Sequence, residues 1–380
     1  SWKLYKTLLL VYKMKNILFL MKSMQGGGAE KVLLNILKNM DYQKYNISLV
    51  LVFNEGIYLN DIPKNVKVSY IFEKETYENN QMIINQSKSV YLNNIKEDYD
   101  IEIAFLEGIC TKIIGNSTQN SKKIAWVHVD LLNCHYTSSM YNSIKEEEDT
   151  YHQFDEIVFV SKYVKESFYK LFPSLNTKGR VLYNPIDIDQ IKKLSKAFNV
   201  DYDKTTFITI GRLTNQKGFD RLINAVSKLS NENFNFQIII LGKGPKYNEL
   251  KEQIHNLKLE NYIFLKGFEP NPYPYLLASN AFISSSRSEG LALVLCEALI
   301  LNKQIIATNC SGVNEALDYG KYGHIIENSE LGIYIGIKDF LINGSNYTIS
   351  EKAFSKFSLK KSIEKICDLI DNISLPKSGI

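Results

Sequence analysis

Eleven apolar runs of four to seven residues punctuate this chain, and the series breaks once in the middle. Asn16–Met21, Ile47–Phe53, Val66–Phe72, Asp100–Phe105, Lys123–Val129 and Ile157–Ser161 form the first set. Thr206–Gly211, Gln237–Leu241, Tyr262–Leu265, Ala281–Ser284 and Gln304–Ala307 form the second. Between them lie segments with helical spacing, such as Val32, Leu33, Ile36 and Leu37, or Phe219–Leu229. Continuous apolar strands alternating with helices specify parallel sheets covered on both faces. The break falls at 185–204, a polar stretch after Asn184-Pro185. The pattern therefore predicts an α/β chain of two Rossmann-like, doubly wound domains facing a cleft, residues 14–184 and 185–349. A helical segment, Ser350 to Asn372 within 350–380, is expected to fold back on the first domain. Ligands of such sheets bind outside the carboxyl ends of the strands, so the chemistry is sought there.

Composition narrows the class. The chain has 380 residues, enough for two ordinary domains. At 45% hydrophobic and 23% charged it reads as a soluble globular protein. A formal charge of +4, without a basic stripe interleaved with aromatics, argues against nucleic acid as a partner. Five widely spaced cysteines without a Cys-x-x-Cys pair indicate neither zinc nor a disulfide framework. Reduced thiols in the cytoplasm account for them. Residues 1–13 mix Trp2, Leu4, Tyr5 and Leu8 with Lys3, Lys6 and Lys13. That run is too short to span a bilayer and lacks a cleavage site. It reads as an extension, with a short interfacial anchor as the second reading.

The richest motif is Ser288-Glu289-Gly290-Leu291-Ala292-Leu293-Val294-Leu295-Cys296-Glu297. Its two carboxylates, Glu289 and Glu297, are eight residues apart. Glu289 lies in a Ser/Arg/Gly loop after the run Ala281–Ile283 and Glu297 in an apolar helical run, so at about 12 Å of rise Glu289 is expected near the helix entrance and Glu297 two turns deeper on roughly the same face. A Glu in an apolar helix is costly to bury unless something pairs with it, and sugar hydroxyls are suitable partners. A helix-start acid favoured by the dipole plus one solvent-facing Glu is the bland alternative.

Other candidates sit at strand ends. Gly26-Gly27-Gly28-Ala29-Glu30 joins the first strand to the first helix, where glycine lets a ligand approach the backbone and the helix start favours anions. It does not match the dinucleotide fingerprint, because Lys31 stands at the third glycine position. Gly211-Arg212-Leu213 and Lys217-Gly218 place two cations beside a helix start, a plausible diphosphate clamp. Solvated surface cations are the alternative. Gly242-Lys243-Gly244-Pro245 and Gly267-Phe268 close the next strands. Phe268 reads either as an edge for a base or as core. His128 ends the run from Lys123 on the cleft side. Asp187, after Asn184-Pro185-Ile186, reads as a helix cap. The triplets Asp187-Ile188-Asp189 and Asp201-Tyr202-Asp203 do not end buried strands, so no metal is assigned.

As a set these residues resemble the GT-B family-4 retaining glycosyltransferases (glycosyl transferases group 1). The order runs Gly27 to Glu30, Trp126 to His128, Asn184 to Asp187, Gly211-Arg212-Leu213 with Lys217-Gly218, Gly242-Lys243-Gly244, Glu289 to Glu297 and Gly312-Val313-Asn314-Glu315. The resemblance covers about residues 14–345 and is strongest from 205 to 325. It implies GT-B architecture and roles for single residues. Arg212 and Lys217 would hold the donor diphosphate, Glu297 the ribose hydroxyls and Glu289 the donor sugar's hydroxyls. Gly290 and Leu291 would offer amides to the sugar or phosphate, with Ala292, Leu293 and Val294 completing that loop. Gly27 and Gly28 would line the diphosphate or acceptor. Gly211 and Gly242 would join the nucleotide site, and Gly267-Phe268 would flank the base. His128 would lie beside the anomeric centre.

The reaction so implied is a retaining, metal-independent transfer from a nucleotide-sugar, expected to be a UDP-sugar, to a glycan or lipid-linked acceptor. No cofactor is expected. The expected setting is bacterial capsule, exopolysaccharide or lipopolysaccharide assembly, in the cytoplasm and at the inner face of the membrane. Contact with anionic lipid is a further expectation, carried by segments such as Lys162 to Lys170. Two other readings stay open: a nonhydrolysing nucleotide-sugar epimerase of the same fold, and a non-catalytic glycan-binding or partner subunit.

Overall fold

The computed structural model describes residues 14–373, so the expectations for residues 1–13 lie outside the described residues. The chain divides into two compact units. Among the described residues the first runs from 14 to Val160, resumes at 165–185 and includes 360–373. The second holds Ser161–Val164 and Ile186–Leu359.

The first unit is a seven-stranded sheet of β1 (Lys15–Met21), β2 (Tyr45–Phe53), β3 (Lys67–Phe72), β4 (Ile101–Ala104), β5 (Lys122–Val127), β6 (Glu156–Phe159) and β7 (Arg180–Val181). All pairs are parallel, in the order β3-β2-β1-β4-β5-β6-β7. The second unit is a six-stranded sheet of β8 (Thr205–Ile210), β9 (Phe236–Leu241), β10 (Ile263–Gly267), β11 (Ala281–Ser284), β12 (Gln304–Thr308) and β13 (His324–Ile326). It is also wholly parallel, in the order β10-β9-β8-β11-β12-β13. Both orders reverse direction once, between β1 and β4 and between β8 and β11. A crevice opens at such a reversal because the loops on its two sides leave toward opposite faces.

The strands read as apolar runs because helices cover both of their faces. Every residue of β4 and β9 is buried. In the second unit, Phe219, Leu222, Ile223, Val226 and Leu229 form the apolar stripe of the helix Phe219–Leu229 and pack on the sheet with Phe207, Ile238, Ile240 and Ile283. That helix starts directly after Gly218, at φ +65°. A Cβ at Gly218 would overlap the Ser285 carbonyl, so the turn that lays the helix against β11 admits only glycine.

Three expectations need correction. β7 and β13 were not anticipated, because two- and three-residue edge strands carry too few residues to show a pattern. The helix expected from Ser350 begins at Leu359; 350–358 instead form two single turns, Glu351–Ala353 and Ser355–Phe357. The helix Leu359–Ile373 does join the first unit, where Lys15 Nζ donates to the Ile370 and Asp371 carbonyls and pairs with the Asp371 carboxylate at 3.0 Å. No helix among the described residues is long and apolar enough to cross a membrane.

Candidate functional site

In the second unit the strand ends around β8 and β11 gather the predicted residues. Ser286 and Glu289 belong to the loop that leaves β11, and Lys217 ends the single turn Asn215–Lys217 that leaves β8. Lys217 Nζ donates to Glu289 Oε1 at 2.6 Å, and Ser286 Oγ donates to the same oxygen at 2.5 Å. Glu289 is 7% exposed, so desolvation of the carboxylate is offset by the ammonium and the hydroxyl. Oε2 has no protein partner among the described residues. The aliphatic chain of Lys217 lies along Gly211, which leaves room for it by lacking a side chain.

Arg212 follows Gly211 directly and is exposed, and among the described residues its guanidinium has no side-chain partner. The site thus presents one compensated cation and one open cation at the sheet's reversal point.

The glycine turns next to it have a packing reason. Gly242 has φ +153° and sits against the Gly211 carbonyl, while Gly244 sits against the Leu213 backbone. Leu213 N–H donates to the Lys243 carbonyl at 3.0 Å and Lys246 N–H to the Leu213 carbonyl at 3.1 Å. Gly242 therefore registers two strand-end loops against each other. Gly267 differs: at φ +81° it has nothing within 4 Å of where a Cβ would be, and Phe268 beside it is 39% exposed. Phe268 is thus not core. Its ring lies 5.1 Å from Lys243 Nζ, a cation–π contact.

The two glutamates do not share a helix. The helix Leu293–Ile300 begins four residues after Glu289, with Ala292 as its cap and no side-chain cap bond. Glu289 is therefore a loop residue, as expected, but it stands a turn short of the helix start, so its spacing to Glu297 is not a helical rise. Glu297 is inside the helix and 5% exposed, and Tyr273 Oη donates to its Oε1 at 3.1 Å. Leu291 and Ala292 are buried, and Leu293 and Val294 form the half-buried first turn. The loop is fixed from two sides. Gly312 N–H donates to the Glu289 carbonyl at 3.1 Å, and Ser161 Oγ donates to the Gly290 carbonyl at 3.0 Å. A Cβ at Gly312 would overlap the Gly290 carbonyl, which explains that glycine. Glu315, three residues on, accepts from the Lys162 and Tyr163 amides at the start of the helix Lys162–Leu171.

In the first unit the structure gathers a separate group. Gly27 caps the helix Gly28–Asn39 beside the Glu30 carboxylate. His128 follows β5; its Nε2–H donates to the Phe105 carbonyl at 2.9 Å, leaving Nδ1 as an acceptor. Burial pushes its pKa down from 6.5 to about 4, so the ring is neutral at pH 7. The sign follows: the unfolded chain takes up a proton near pH 6.5 and the folded one only near 4. Stability contributed by His128 is full above pH 6.5 and is lost as pH falls from about 6.5 to 4. Replacement by Gln is expected to reduce the acid sensitivity of the urea midpoint between pH 7 and 5. An unchanged pH slope in His128→Gln would show that the ring is not held neutral.

Asp187 caps the helix Ile188–Leu194 by accepting from the Gln190 amide, as its place after Pro185 suggested. Sequence reasoning missed the buried acid Glu107, which accepts from the His128 main-chain N–H and from the Tyr136 hydroxyl, each at 2.8 Å. The only hint was an acidic residue three positions past a strand end, a common arrangement.

Residues 190–348 match the model of the glycosyl transferases group 1 family. The matched stretch takes in most of the helix after Asp187 and the whole second sheet, with Arg212, Lys217, Glu289 and Glu297 inside it. An uncharacterized glycosyltransferase of Methanocaldococcus jannaschii is 32% identical over 249 residues, 59% of this chain and 60% of that protein. The chain thus spans about three fifths of that relative's length. The N-acetylgalactosamine-N,N'-diacetylbacillosaminyl-diphospho-undecaprenol 4-alpha-N-acetylgalactosaminyltransferase of Campylobacter jejuni is 27% identical over 334 residues, 84% of this chain and 88% of that protein. Among solved structures, Anabaena HepE in complex with UDP and glucose superposes with TM-score 0.74 at 17% identity, covering 94% of this chain and 99% of that one. Sucrose-phosphate synthase of Thermosynechococcus elongatus gives 0.75 at 12% identity, covering 94% and 99%. The fold is GT-B, as the motif order implied.

Proposed function

We propose that this chain is a retaining glycosyltransferase that moves a sugar from a nucleotide-sugar to a glycan or lipid-linked acceptor. The observation that carries the reading is the Lys217–Glu289–Ser286 cluster beside the open guanidinium of Arg212. A glycosyl–diphosphate bond breaks with positive charge growing on the sugar and negative charge on the leaving group. Arg212 and Lys217 bind the diphosphate more strongly as that charge develops, which lowers the barrier. Glu289 keeps Lys217 in place through Oε1 and accepts a donor-sugar hydroxyl at Oε2. Glu297 takes the ribose hydroxyls, and Gly267 with Phe268 takes the base. The amides of Gly290 and Leu291 and the first turn from Ala292 to Val294 face the sugar or phosphate. His128 presents its neutral ring to the acceptor from the first unit, with Gly27 and Gly28. Retention follows if the acceptor attacks from the face the leaving group departs, so no carboxylate nucleophile is required.

The donor is proposed to be a UDP-sugar, in line with the UDP complexes of the HepE protein. An acceptor on a lipid carrier is in line with the Campylobacter relative's name. Surface polysaccharide synthesis at the inner face of the membrane is the setting proposed. Two protein cations meet the diphosphate charge directly, so transfer is expected to be metal-independent: rates in EDTA equal those with manganese, and restoration of a lost rate by manganese would contradict this. The experiment for the function is product analysis of UDP-hexoses with and without lipid-linked or alkyl glycoside acceptors. A new glycoside formed only when acceptor is present supports the transferase. Conversion of the donor alone means an epimerase.

A further inference from the structure

The loop after β4 holds a buried carboxylate that the donor chemistry does not use. Glu107 is 1% exposed. Its Oε2 accepts from the His128 main-chain N–H, and its Oε1 accepts from the Tyr136 hydroxyl, both at 2.8 Å. Two residues earlier, the Phe105 carbonyl accepts from the His128 ring at 2.9 Å. One short turn, 105–108, therefore fixes His128 by its main chain and by its ring.

The same turn fixes the segment after His128. Gly108 has φ +80°, and a Cβ there would crowd Met140 and Thr137. Its carbonyl accepts from Tyr141 Oη at 3.2 Å and from Thr111 Oγ1 at 2.8 Å. The single turn Tyr136–Met140 is thereby strapped over residues 107–108. Tyr136 is tethered through its hydroxyl, yet 41% of its surface is exposed. A ring immobilised at one end and open on its surface is a preorganised apolar platform, which binds without further ordering cost. A buried carboxylate is tolerated only where donors compensate it, and the two direct donors are His128 and Tyr136. Glu107 is thus the joint between them.

We propose that Glu107 is a positioning residue that holds His128 and Tyr136 as two sides of an acceptor subsite, His128 toward the attacking hydroxyl and Tyr136 against the apolar face of a pyranose. The proposal rests on the transferase reading for the identity of the ligand.

The test uses the full chain with Glu107→Gln, which places an NH2 against one of the two donors, and Tyr136→Phe, which removes only the hydroxyl from a partly exposed ring. Donor affinity is measured by calorimetry with UDP-hexoses, transfer with octyl hexosides as acceptor probes, and the His128 ring nitrogens by 15N NMR. The expected result is a rise of about tenfold in acceptor KM, equivalent to about 1.4 kcal/mol, in both variants. Donor Kd stays within about twofold, and Glu107→Gln, by loosening the 105–108 turn that carries the Phe105 carbonyl, moves His128 from a fixed Nε2–H tautomer to a mixture. Unchanged acceptor KM, or equal losses in donor and acceptor affinity, overturns the proposal. If the wild type binds no UDP-hexose or uses no octyl hexoside, the transferase reading loses support, and the NMR readout alone decides. A tautomer shift in Glu107→Gln then upholds the positioning role, and unchanged ring nitrogens overturn it.

Discussion

Lys217→Ala is expected to cut turnover by about 10²- to 10³-fold, the cost of removing one preorganised donor to a developing anion. It is also expected to destabilise the fold. The substitution strands the Glu289 carboxylate, whose side chain is 8% exposed and whose Oε1 would keep only Ser286. Breaking a fully buried pair costs about 3–5 kcal/mol. The Lys217 side chain is 23% exposed, so water reaches it and a loss nearer about 2 kcal/mol is expected. The double variant with Glu289→Gln should recover most of that stability, because no unpaired charge remains, and recover none of the turnover. Urea midpoints and steady-state rates for the two single variants and the double variant separate these effects. Equal stability in all variants would mean that the pair is solvated and idle. A near-normal rate in Lys217→Ala would remove it from the clamp.

Glu297→Gln carries the second large effect. Glu297 is nearly buried within the apolar helix Leu293–Ile300 and held by Tyr273. A hydrogen bond to a charged acceptor contributes about 1.5–3 kcal/mol. Nucleotide affinity is therefore expected to fall by about ten- to a hundredfold. The ribose assignment makes a sharper statement. For the wild type, UDP should bind more tightly than its 2',3'-dideoxy analogue. For Glu297→Gln the difference should shrink about tenfold, since a neutral amide oxygen accepts from the ribose hydroxyls more weakly than a carboxylate. Calorimetry on the four combinations reads the coupling. Undiminished discrimination in the variant would assign the ribose to another residue.

Both substitutions test residues visible in the sequence, and the reason they were visible is topological. Parallel strands buried on both faces leave uninterrupted apolar runs, so β1, β4, β9 and β11 announced themselves. The carboxyl ends of β5, β8, β10 and β11 then located His128, Gly211 with Arg212, Gly267 and Glu289 without any contact being known. Edge strands failed this reading, because Arg180–Val181 and His324–Ile326 are too short to show a run. Helix phase also failed. The loop from Glu289 to Ala292 is apolar enough to look helical, but Gly290 is held by Ser161 and Gly312 packs on it, so the helix starts only at Leu293. Buried acids were the least legible. Glu102 is satisfied by Tyr91, Ser117 and Ser121, and Glu107 by His128 and Tyr136, and those donors come from distant positions in the chain. Nothing local to either glutamate distinguishes it from a surface acid.

The central claim is that the second unit is a nucleotide-sugar site whose diphosphate is held by Arg212 and Lys217. Calorimetric titration of UDP-, GDP-, ADP- and CMP-sugars into the wild type and Arg212→Ala tests it most directly. The account predicts that one nucleotide, UDP, binds the wild type with a Kd on the order of micromolar, about 8 kcal/mol, and that Arg212→Ala abolishes the signal. Binding of no nucleotide, or equal binding to both proteins, would contradict it.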